Sequence, residues 1–213
     1  MIVAIVPVKD LPGSKSRLRE DFGDADVERL ATAMLEDVLD ALRRVPELER
    51  VVAVTPDEAV AEVARRTGAE VLLRDDSGLN AAVEAASADV SAADSDGVLV
   101  VLGDVAGVRP DEITRLIRSL DGEGVALAPS ADGGTAALLR VPHDVIDAGF
   151  GPASAAVHRE RAGAAGIRFV ALPLPSLAID VDHREDLEAL LDGPAAAPRT
   201  RALCAELAAV ARR

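Results

Sequence analysis

Short apolar runs alternate with longer amphipathic segments along most of this chain. The first run, at residues 2–8, is uninterrupted, and similar runs follow at 50–55, 70–73 and 98–102. A continuous apolar run of this length is typical of a strand buried on both faces of a parallel sheet. The segments between the runs carry apolar residues at helical spacing, most clearly at 26–44. This order predicts an α/β fold, a three-layer α/β/α sandwich around a mostly parallel, Rossmann-like sheet.

Further elements are predicted in the second half of the chain and at the helix starts. Strands are expected at 125–128, in the DGGTAALL segment, at 167–172 and at 178–182. The sequence TPDE at 55–58 predicts a capping box with Pro56 at the first helical position. From Gly193, a linker leads to an Ala/Leu/Arg-rich helix that could dock on the domain or on a second subunit. The predicted organisation is one domain at 1–192, followed by the linker and C-terminal helix at 193–213.

The first predicted strand runs directly into a basic, glycine-containing loop. This loop contains Lys9, Gly13, Ser14, Lys15, Ser16 and Arg17. In an open α/β sheet, ligands bind at the carboxyl ends of the strands, so the loop is positioned to meet an anion, most simply a phosphate chain. A solvated basic turn is the alternative. Neither GxxxxGK[ST] nor GxGxxG occurs, so a P-loop hydrolase and a dinucleotide dehydrogenase are not supported.

The overall charge limits the classes of partner. The net charge is −14, from 23 Lys and Arg against 37 Asp and Glu, which argues against a nucleic-acid polymer. A basic loop in an acidic protein suits a small polyanion accompanied by a divalent metal. Cys204 is the single cysteine, and no apolar run reaches the roughly 20 residues of a membrane helix. A cytoplasmic protein with no membrane partner is therefore expected.

Three aspartates are candidates for the metal site. Asp104 follows the apolar run VLVVLG, at the predicted carboxyl edge of a strand. In IDVD, Asp180 and Asp182 would lie on one face of the short strand at 178–182 while Ile179 and Val181 point inward. Carboxylates are the ligands that hard divalent cations prefer. A turn or cap role is the alternative for Asp104, and Asp182 with Glu185 could instead form a capping box.

Two glycine-containing segments could bind a second anion. The first is Asp132–Gly133–Gly134–Thr135, in which paired glycines allow close backbone approach beside a hydroxyl. The second is FGPAS, which introduces a helix at about residue 152 and places Ser154 in its first turn. Ser154 and His158 are four residues apart on one helix face. Ordinary turn glycines and an ordinary helix histidine are the alternatives.

Seven ordered segments give a specific family resemblance. They are PVKDLPGSKSRL, TPDEA, GLN, VVLGDVAGV, GGTAALL, FGPASAAVH and IDVDHREDL. Over residues 1–192 the chain resembles the guanylyltransferase family of coenzyme F420 biosynthesis, which includes the phosphoenolpyruvate and 2-phospho-L-lactate enzymes and is related to the molybdenum-cofactor guanylyltransferases. The chain departs from the family at Val105–Ala106–Gly107, where a proline or leucine is common.

The resemblance implies a GTP-dependent enzyme with Mg²⁺ as cofactor. The acceptor would be phosphoenolpyruvate, and the alternatives are 2-phospho-L-lactate, another phosphorylated three-carbon acid, or a catalytically silent nucleotide-binding module. Lys15 and Arg17 would hold the triphosphate, Lys9, Gly13 and Ser14 would shape the loop, and Asn80 would lie near the guanine. Thr135, Gly151 and Ser154 would bind the acceptor, and Asp104, Asp180 and Asp182 the metal. A homodimer and transfer of the product to a downstream transferase are further expectations.

Overall fold

The computed structural model describes residues 1–9, 18–91, 96–179, 181, 183–193 and 195–210 of the 213-residue chain. The strands are β1 Ile2–Pro7, β2 Leu48–Thr55, β3 Glu70–Leu73, β4 Gly97–Val101, β5 Gly124–Pro129, β6 Thr135–Val141 and β7 Phe169–Ala171. The helices are α1 Arg19–Phe22, α2 Asp24–Leu42, α3 Glu58–Thr67, α4 Leu79–Ser91, α5 Pro110–Arg118, α6 Ser154–Ala164, α7 Arg184–Asp192 and α8 Pro198–Val210, with a short 3₁₀ helix at Pro175–Leu177.

The seven strands form one sheet in the order β3-β2-β1-β4-β6-β5-β7. β6 runs antiparallel to both of its neighbours, β4 and β5, and the other four pairings are parallel. Reversing a single strand leaves the six others pointing the same way. Their carboxyl ends therefore share one edge of the sheet with the amino end of β6, so the predicted mostly parallel sheet is confirmed.

Helices cover both faces of the sheet and give the three predicted layers. Alternate residues of the central strands enter different cores: Ala4 and Val6 pack on the side of α2, α3 and α5, whereas Val3 and Ile5 pack on the side of α4. The same alternation holds in β4. Both faces of these strands are therefore dry, which explains why they are continuous apolar runs in the sequence.

Two local predictions are wrong by a residue or two. α3 begins at Glu58 with Asp57 as its N-cap, and the Asp57 side chain accepts hydrogen bonds from the N–H groups of Ala59 and Val60. Thr55 instead accepts from the Asp57 N–H at 3.0 Å, so Pro56 precedes the helix. The capping box given as the alternative role for Asp182, with Glu185, lies one residue later, where Asp186 accepts from the His183 N–H at 2.8 Å.

The strand predicted at 178–182 does not form in the described part of that segment. Ala178, Ile179 and Val181 are outside any strand, and Pro175–Leu177 is a 3₁₀ helix. Among the described residues, the Ala131 N–H, in the turn after β5, donates to the Ala178 carbonyl at 3.0 Å. Ile179 and Val181 still pack into one apolar cluster with α2, α7 and α8. The apolar alternation therefore predicted correctly which residues point inward. It did not indicate whether a neighbouring strand is present to pair with this segment. Asp180 and Asp182 lie outside the described residues.

The C-terminal helix docks on the domain itself. The carboxylate of Asp37, on α2, is 3% exposed and accepts from the N–H groups of Arg199 and Thr200 and from the Thr200 hydroxyl, at 3.1, 2.9 and 2.9 Å. These bonds cap the first turn of α8 with a side chain that is distant in sequence. The domain boundary at residue 192 stays a prediction.

Asp37→Ala should destabilise the protein, because it leaves the buried donors of the first turn of α8 without their acceptor. We expect the free energy of unfolding to fall by about 2–3 kcal/mol. Urea denaturation followed by circular dichroism measures this change. Asp26→Ala, on the same helix, removes only a partly exposed ion pair with Arg29 and should have a much smaller effect. Equal effects of the two substitutions would contradict the capping role.

Candidate active site

The described candidate residues lie at the carboxyl edge of the sheet. Lys9 follows β1 and Asp104 follows β4, whereas Thr135 starts the antiparallel strand β6 and so reaches the same edge from the opposite direction. Gly13, Ser14, Lys15, Arg17, Asp180 and Asp182 lie outside the described residues, so their assigned roles stay predictions. Ligands of open α/β sheets bind at this edge.

A cavity of about 370 Å³ opens beyond the ends of β1, β2 and β3. Its lining comes from the ends of these strands and from the start of α4, and consists of Pro7, Val8, Lys9, Val54, Thr55, Pro56, Arg74, Asp75, Asp76, Ser77, Gly78, Leu79 and Ala82. Its volume suits a ligand the size of a nucleoside. The described lining residues are aliphatic and polar, and none of them is aromatic.

One wall of this cavity is fixed by ion pairs that the sequence analysis missed. The Arg74 guanidinium binds Asp76 on the cavity wall, with Nε 2.9 Å from Oδ2, and also binds Asp89 on α4. The Arg74 N–H donates to the Thr55 carbonyl at 2.9 Å. The sequence contained a signal for these ion pairs, because the charged residues of RDDS directly follow the apolar run of β3 and therefore lie at the carboxyl edge of the sheet.

The glycine before Asp104 packs closely against Val8, the residue that follows β1. A Cβ added to Gly103 would lie 2.6 Å from Cγ2 of Val8, so a larger residue would require Val8 to move. Asp104 is half-buried. Within the described ranges, no group of three or more His, Cys, Asp or Glu side chains is placed to hold a metal ion. Two of the three predicted ligands are not in those ranges.

The structure brings together the three residues predicted to bind the acceptor. The Ser154 hydroxyl donates to Oγ1 of Thr135 at 3.0 Å, and the Ser154 N–H donates to the Gly151 carbonyl at 3.1 Å. Thr135 and Ser154 are buried, whereas Gly151 is exposed and has φ 138°. The turn before Thr135 is fixed by Asp132, which accepts from the Gly134 N–H at 2.9 Å. Hydrogen bonds from the Ser130 hydroxyl and from this N–H lower the pKa of Asp132.

The backbone donors at the start of α6 are only partly available to a ligand. The N–H of Ala155 already donates to the Gly133 carbonyl at 3.3 Å, and that of Ser154 to Gly151. The N–H groups of Gly151 and Ala153 make no bond to another described residue, and both residues are exposed. The N–H groups of residues 151 and 153 are therefore the backbone donors near this helix start that remain for an anion.

The loop that leads to Gly151 is held by side chains from α4. Both polar atoms of the Asn80 amide bind Phe150: Nδ2 donates to its carbonyl at 3.0 Å, and Oδ1 accepts from its N–H at 2.7 Å. One turn later, Glu84 accepts from the Ala148 N–H at 2.5 Å. Asn80 was expected near the guanine. Its neighbours Leu79 and Ala82 line the cavity, whereas both polar atoms of Asn80 bind Phe150 of the acceptor loop, so its place near the guanine stays a prediction.

Two arginines complete the support of this loop. Arg140 of β6 is fully buried and donates to Glu84 at 2.7 Å, to the Ile146 carbonyl at 2.9 Å and to the Ser87 hydroxyl at 2.9 Å. Arg161 of α6 donates to the carbonyls of Asp147 and Ala148. The signal for the α4 residues was the spacing of residues 80, 84 and 87, three polar side chains on one face of an alanine-rich helix.

His158 contacts both the acceptor cluster and the loop. Its Nδ1 lies 3.1 Å from Oγ1 of Thr135, and its Nε2 accepts from the Gly149 N–H at 2.9 Å. The ring is fully buried and meets Phe150 edge-on. Burial, together with the positive charges of Arg161 and Arg140, lowers the pKa of His158 to about 4. The imidazole is therefore neutral at physiological pH. The sequence indicated its helix face but not these contacts.

The sequence as a whole matches the family described as guanylyl transferase, CofC like, over residues 2–200. A phosphoenolpyruvate guanylyltransferase of Sphaerobacter thermophilus is 36% identical over 189 residues, which cover 88% of this chain and 91% of the relative. One from Nocardia farcinica is 36% identical, covering 96% and 91%. A 3-phospho-D-glycerate guanylyltransferase of Phenylobacterium zucineum is 35% identical, covering 91% of each. The chain belongs to this guanylyltransferase family of enzymes, which confirms the resemblance read from the sequence.

Solved structures confirm the fold. A Desulfovibrio desulfuricans structure described as a nucleotide-diphospho-sugar transferase superimposes with a TM-score of 0.79 at 19% identity, covering 99% of this chain and 96% of that one. A nucleotidyl transferase from Methanothermobacter thermautotroptrophicus gives 0.62, also at 19% identity, covering 89% and 95%. No helix in the described ranges combines the length and apolar character that crossing a membrane requires.

Asn80→Ala should loosen the acceptor loop, because it removes both bonds to Phe150. A loss of about 1–2 kcal/mol in local stability corresponds to roughly 5- to 30-fold faster hydrogen exchange of the Phe150 amide, measured by NMR. Asp89→Ala, on the same helix, breaks the contact with Arg74 instead and should leave that amide unchanged. Unaltered exchange of Phe150 in Asn80→Ala would show that the amide side chain does not hold the loop.

Proposed function

We propose that the protein transfers the guanylyl group of GTP to phosphoenolpyruvate, giving enolpyruvoyl-2-diphospho-5'-guanosine and pyrophosphate. Family membership and the names of the relatives support guanylyl transfer. One structural observation carries the proposal. A nucleoside-sized cavity at the ends of β1–β3 and a hydroxyl-bearing cluster at the start of β6 and α6 share one edge of the sheet. Such an edge can present two phosphorylated substrates to one another.

The reaction needs alignment and neutralisation of charge. A phosphate oxygen of the acceptor forms a bond to the α-phosphorus of GTP. The bond from that phosphorus to the oxygen bridging the β-phosphate breaks, and pyrophosphate leaves with the electron pair. The atoms balance without a covalent enzyme intermediate. Holding the two phosphates in line supplies much of the rate acceleration in phosphoryl-type transfers.

The nucleotide would occupy the cavity with its phosphates directed toward the loop after β1. Lys9 lines the cavity, and we assign Gly13, Ser14, Lys15 and Arg17 to the triphosphate. Backbone amides and cationic side chains are suited to phosphate oxygens. The guanine would contact backbone and aliphatic groups, because the part of the lining that the structure describes contains no aromatic side chain.

We propose Mg²⁺ as the cofactor, held by Asp104, Asp180 and Asp182. The observation that fits is the half-buried carboxylate of Asp104, which follows β4 at the carboxyl edge that the cavity and the acceptor cluster share. A hard oxygen donor of this type suits Mg²⁺. When bound, the ion would neutralise charge on the phosphate oxygens. Asp104 contributes the ligand that extends from β4.

The acceptor acid has two further candidates. The Phenylobacterium zucineum relative is named for 3-phospho-D-glycerate, and its identity to this chain is nearly that of the phosphoenolpyruvate enzymes. 2-Phospho-L-lactate is the other candidate from the family resemblance. The acids differ by small groups, which a pocket distinguishes by only about 1–3 kcal/mol. A place in coenzyme F420 biosynthesis, a cytoplasmic location, a homodimer and delivery of the product to a downstream transferase remain part of the proposal.

Purified protein with GTP and Mg²⁺ should release pyrophosphate when phosphoenolpyruvate is added. Each of the three acids is supplied alone and then in competition, and the guanylylated product is identified by mass spectrometry. The highest kcat/KM is expected with phosphoenolpyruvate. Preference for another of the acids would change the assigned acceptor. No pyrophosphate with any of them would reject guanylyl transfer to these acids and favour a catalytically silent nucleotide-binding module.

Asp104→Asn should lower kcat by about 100-fold or more, because an amide oxygen replaces a charged metal ligand. The folded state should be retained, as judged by circular dichroism and by an unchanged Tm. Asp111→Asn, on the exposed start of α5, changes the same charge outside the site and should leave kcat unaltered. Full activity in Asp104→Asn would remove Asp104 from the metal site.

A further inference from the structure

We propose that His158 is a positioning residue of the acceptor site. The Gly149 N–H fixes its imidazole with the hydrogen on Nδ1, and this keeps one hydroxyl hydrogen of the Thr135–Ser154 pair available for an oxygen of the acidic acceptor. The inference rests on the proposed guanylyl transfer and concerns how the acceptor is held. None of the seven sequence segments, taken by itself, indicates it.

The Gly149 amide determines which ring nitrogen carries the hydrogen. A backbone N–H can only donate, so Nε2 of His158, 2.9 Å from the Gly149 nitrogen, must present a lone pair. A neutral imidazole has one N–H, which is then on Nδ1. Nδ1 lies 3.1 Å from Oγ1 of Thr135 and donates to it.

One hydroxyl hydrogen of the cluster remains available to a ligand. The hydroxyls of Thr135 and Ser154 bring two hydrogens, and the bond between them, 3.0 Å long, uses one. Since His158 donates to Thr135, the second hydrogen is not needed for that contact. No other described group accepts from either hydroxyl. With the opposite tautomer, Nδ1 would itself accept from Thr135 and would take up the second hydrogen.

The surroundings make a hydrogen donor at this point suitable for an anion. The three side chains are buried, at 0%, 2% and 1% exposure for His158, Thr135 and Ser154, so hydrogen bonds here are weakly screened. Exposed Gly133 and Gly151 flank the pair, and their carbonyls accept from the first turn of α6. A carboxylate or phosphate oxygen entering between them meets the hydroxyl pair and the N–H groups of Gly151 and Ala153.

Burial and two nearby charges keep the imidazole neutral over the working pH range. Burial opposes protonation most strongly, and the positive charges of Arg161, on α6, and Arg140, on β6, add to this effect. Arg140 is itself paired with Glu84 of α4. Protonation would place a hydrogen on Nε2 against the Gly149 N–H and break that contact. The contact should therefore persist down to about pH 4, the pKa of His158.

Two substitutions separate the functions of the two ring nitrogens. In His158→Asn, the shorter side-chain amide can place an N–H donor near the position of Nδ1. In His158→Gln, the longer side chain reaches the position of Nε2 instead, so no N–H donates to Thr135. Without this donor, the Thr135 hydroxyl keeps its hydrogen but is no longer held in one orientation. We expect His158→Gln to raise KM for the acceptor by roughly 3- to 10-fold, the cost of one net hydrogen bond. His158→Asn should retain most of the acceptor affinity. GTP affinity should be unchanged in both variants.

Control variants test whether His158 acts on the acceptor through Thr135. His143→Gln changes a histidine in the turn after β6, at the opposite edge of the sheet, and should leave KM unaltered. Thr135→Val should raise KM by itself, and adding His158→Gln to it should raise KM little further. An independent readout is the ¹⁵N NMR spectrum of the imidazole, which should show the hydrogen on Nδ1 and titration near pH 4.

The outcomes distinguish this inference from the proposed function. Equal acceptor KM in wild type and His158→Gln, additive effects with Thr135→Val, or a hydrogen on Nε2 would each overturn the positioning role. Binding of phosphoenolpyruvate alone, followed by the chemical shifts of Thr135 and Ser154, does not depend on turnover. Binding without release of pyrophosphate would reject only the proposed reaction. Absence of binding would overturn the inference as well.

Discussion

A buried guanidinium organises the half of the molecule that carries the acceptor cluster. Arg140 extends from β6 into the core, where an unpaired charge would cost several kcal/mol. Its partners come from two other parts of the chain: Glu84 and Ser87 on α4, and the Ile146 carbonyl in the loop before α6. Satisfying this one charge joins the antiparallel strand, a crossover helix and the acceptor loop, so the position of the loop depends on the core.

The reversed strand β6 is the second constraint on the site. In an all-parallel sheet, Thr135 would start a strand at the edge remote from the cavity. Because β6 runs antiparallel between β4 and β5, its first residue reaches the edge where the other strands end. α4 then connects the two halves of this edge. Leu79 lines the cavity, and the neighbouring Asn80 holds Phe150 on the acceptor side. One helix therefore contacts the proposed binding places of both substrates.

The acceptor cluster uses neutral donors, in an acidic protein proposed to bind two anions. Thr135, Ser154 and the exposed amides near Gly151 carry no formal charge, and the neutral His158 adds none. Neutral donors fixed in a buried site can bind an anion without adding the strong attraction of a further cation. In the proposed site, the cations of the loop after β1 and the metal held by carboxylates would bind the triphosphate. The neutral hydrogen-bond donors of the acceptor cluster would bind the acid.

The sequence by itself determined the α/β class and the strands buried on both faces, because apolar periodicity records which faces are buried. It also placed Lys9 and Asp104 after strand ends, since each directly follows an apolar run. Its seven ordered segments also determined the family. Tertiary structure decided the rest. The segment at 178–182 has the apolar alternation of a strand, but its described residues pair with no neighbouring strand. The N-cap of α3 is Asp57 and not the predicted Thr55, because several side chains in one turn compete for the same backbone N–H groups. The spacing of residues 80, 84 and 87 marks a polar helix face, but the partners of Asn80, Glu84 and His158 are 9–70 residues away, and no local pattern encodes them. Long-range hydrogen bonds are a property of the packed chain, and so is the support of the acceptor loop.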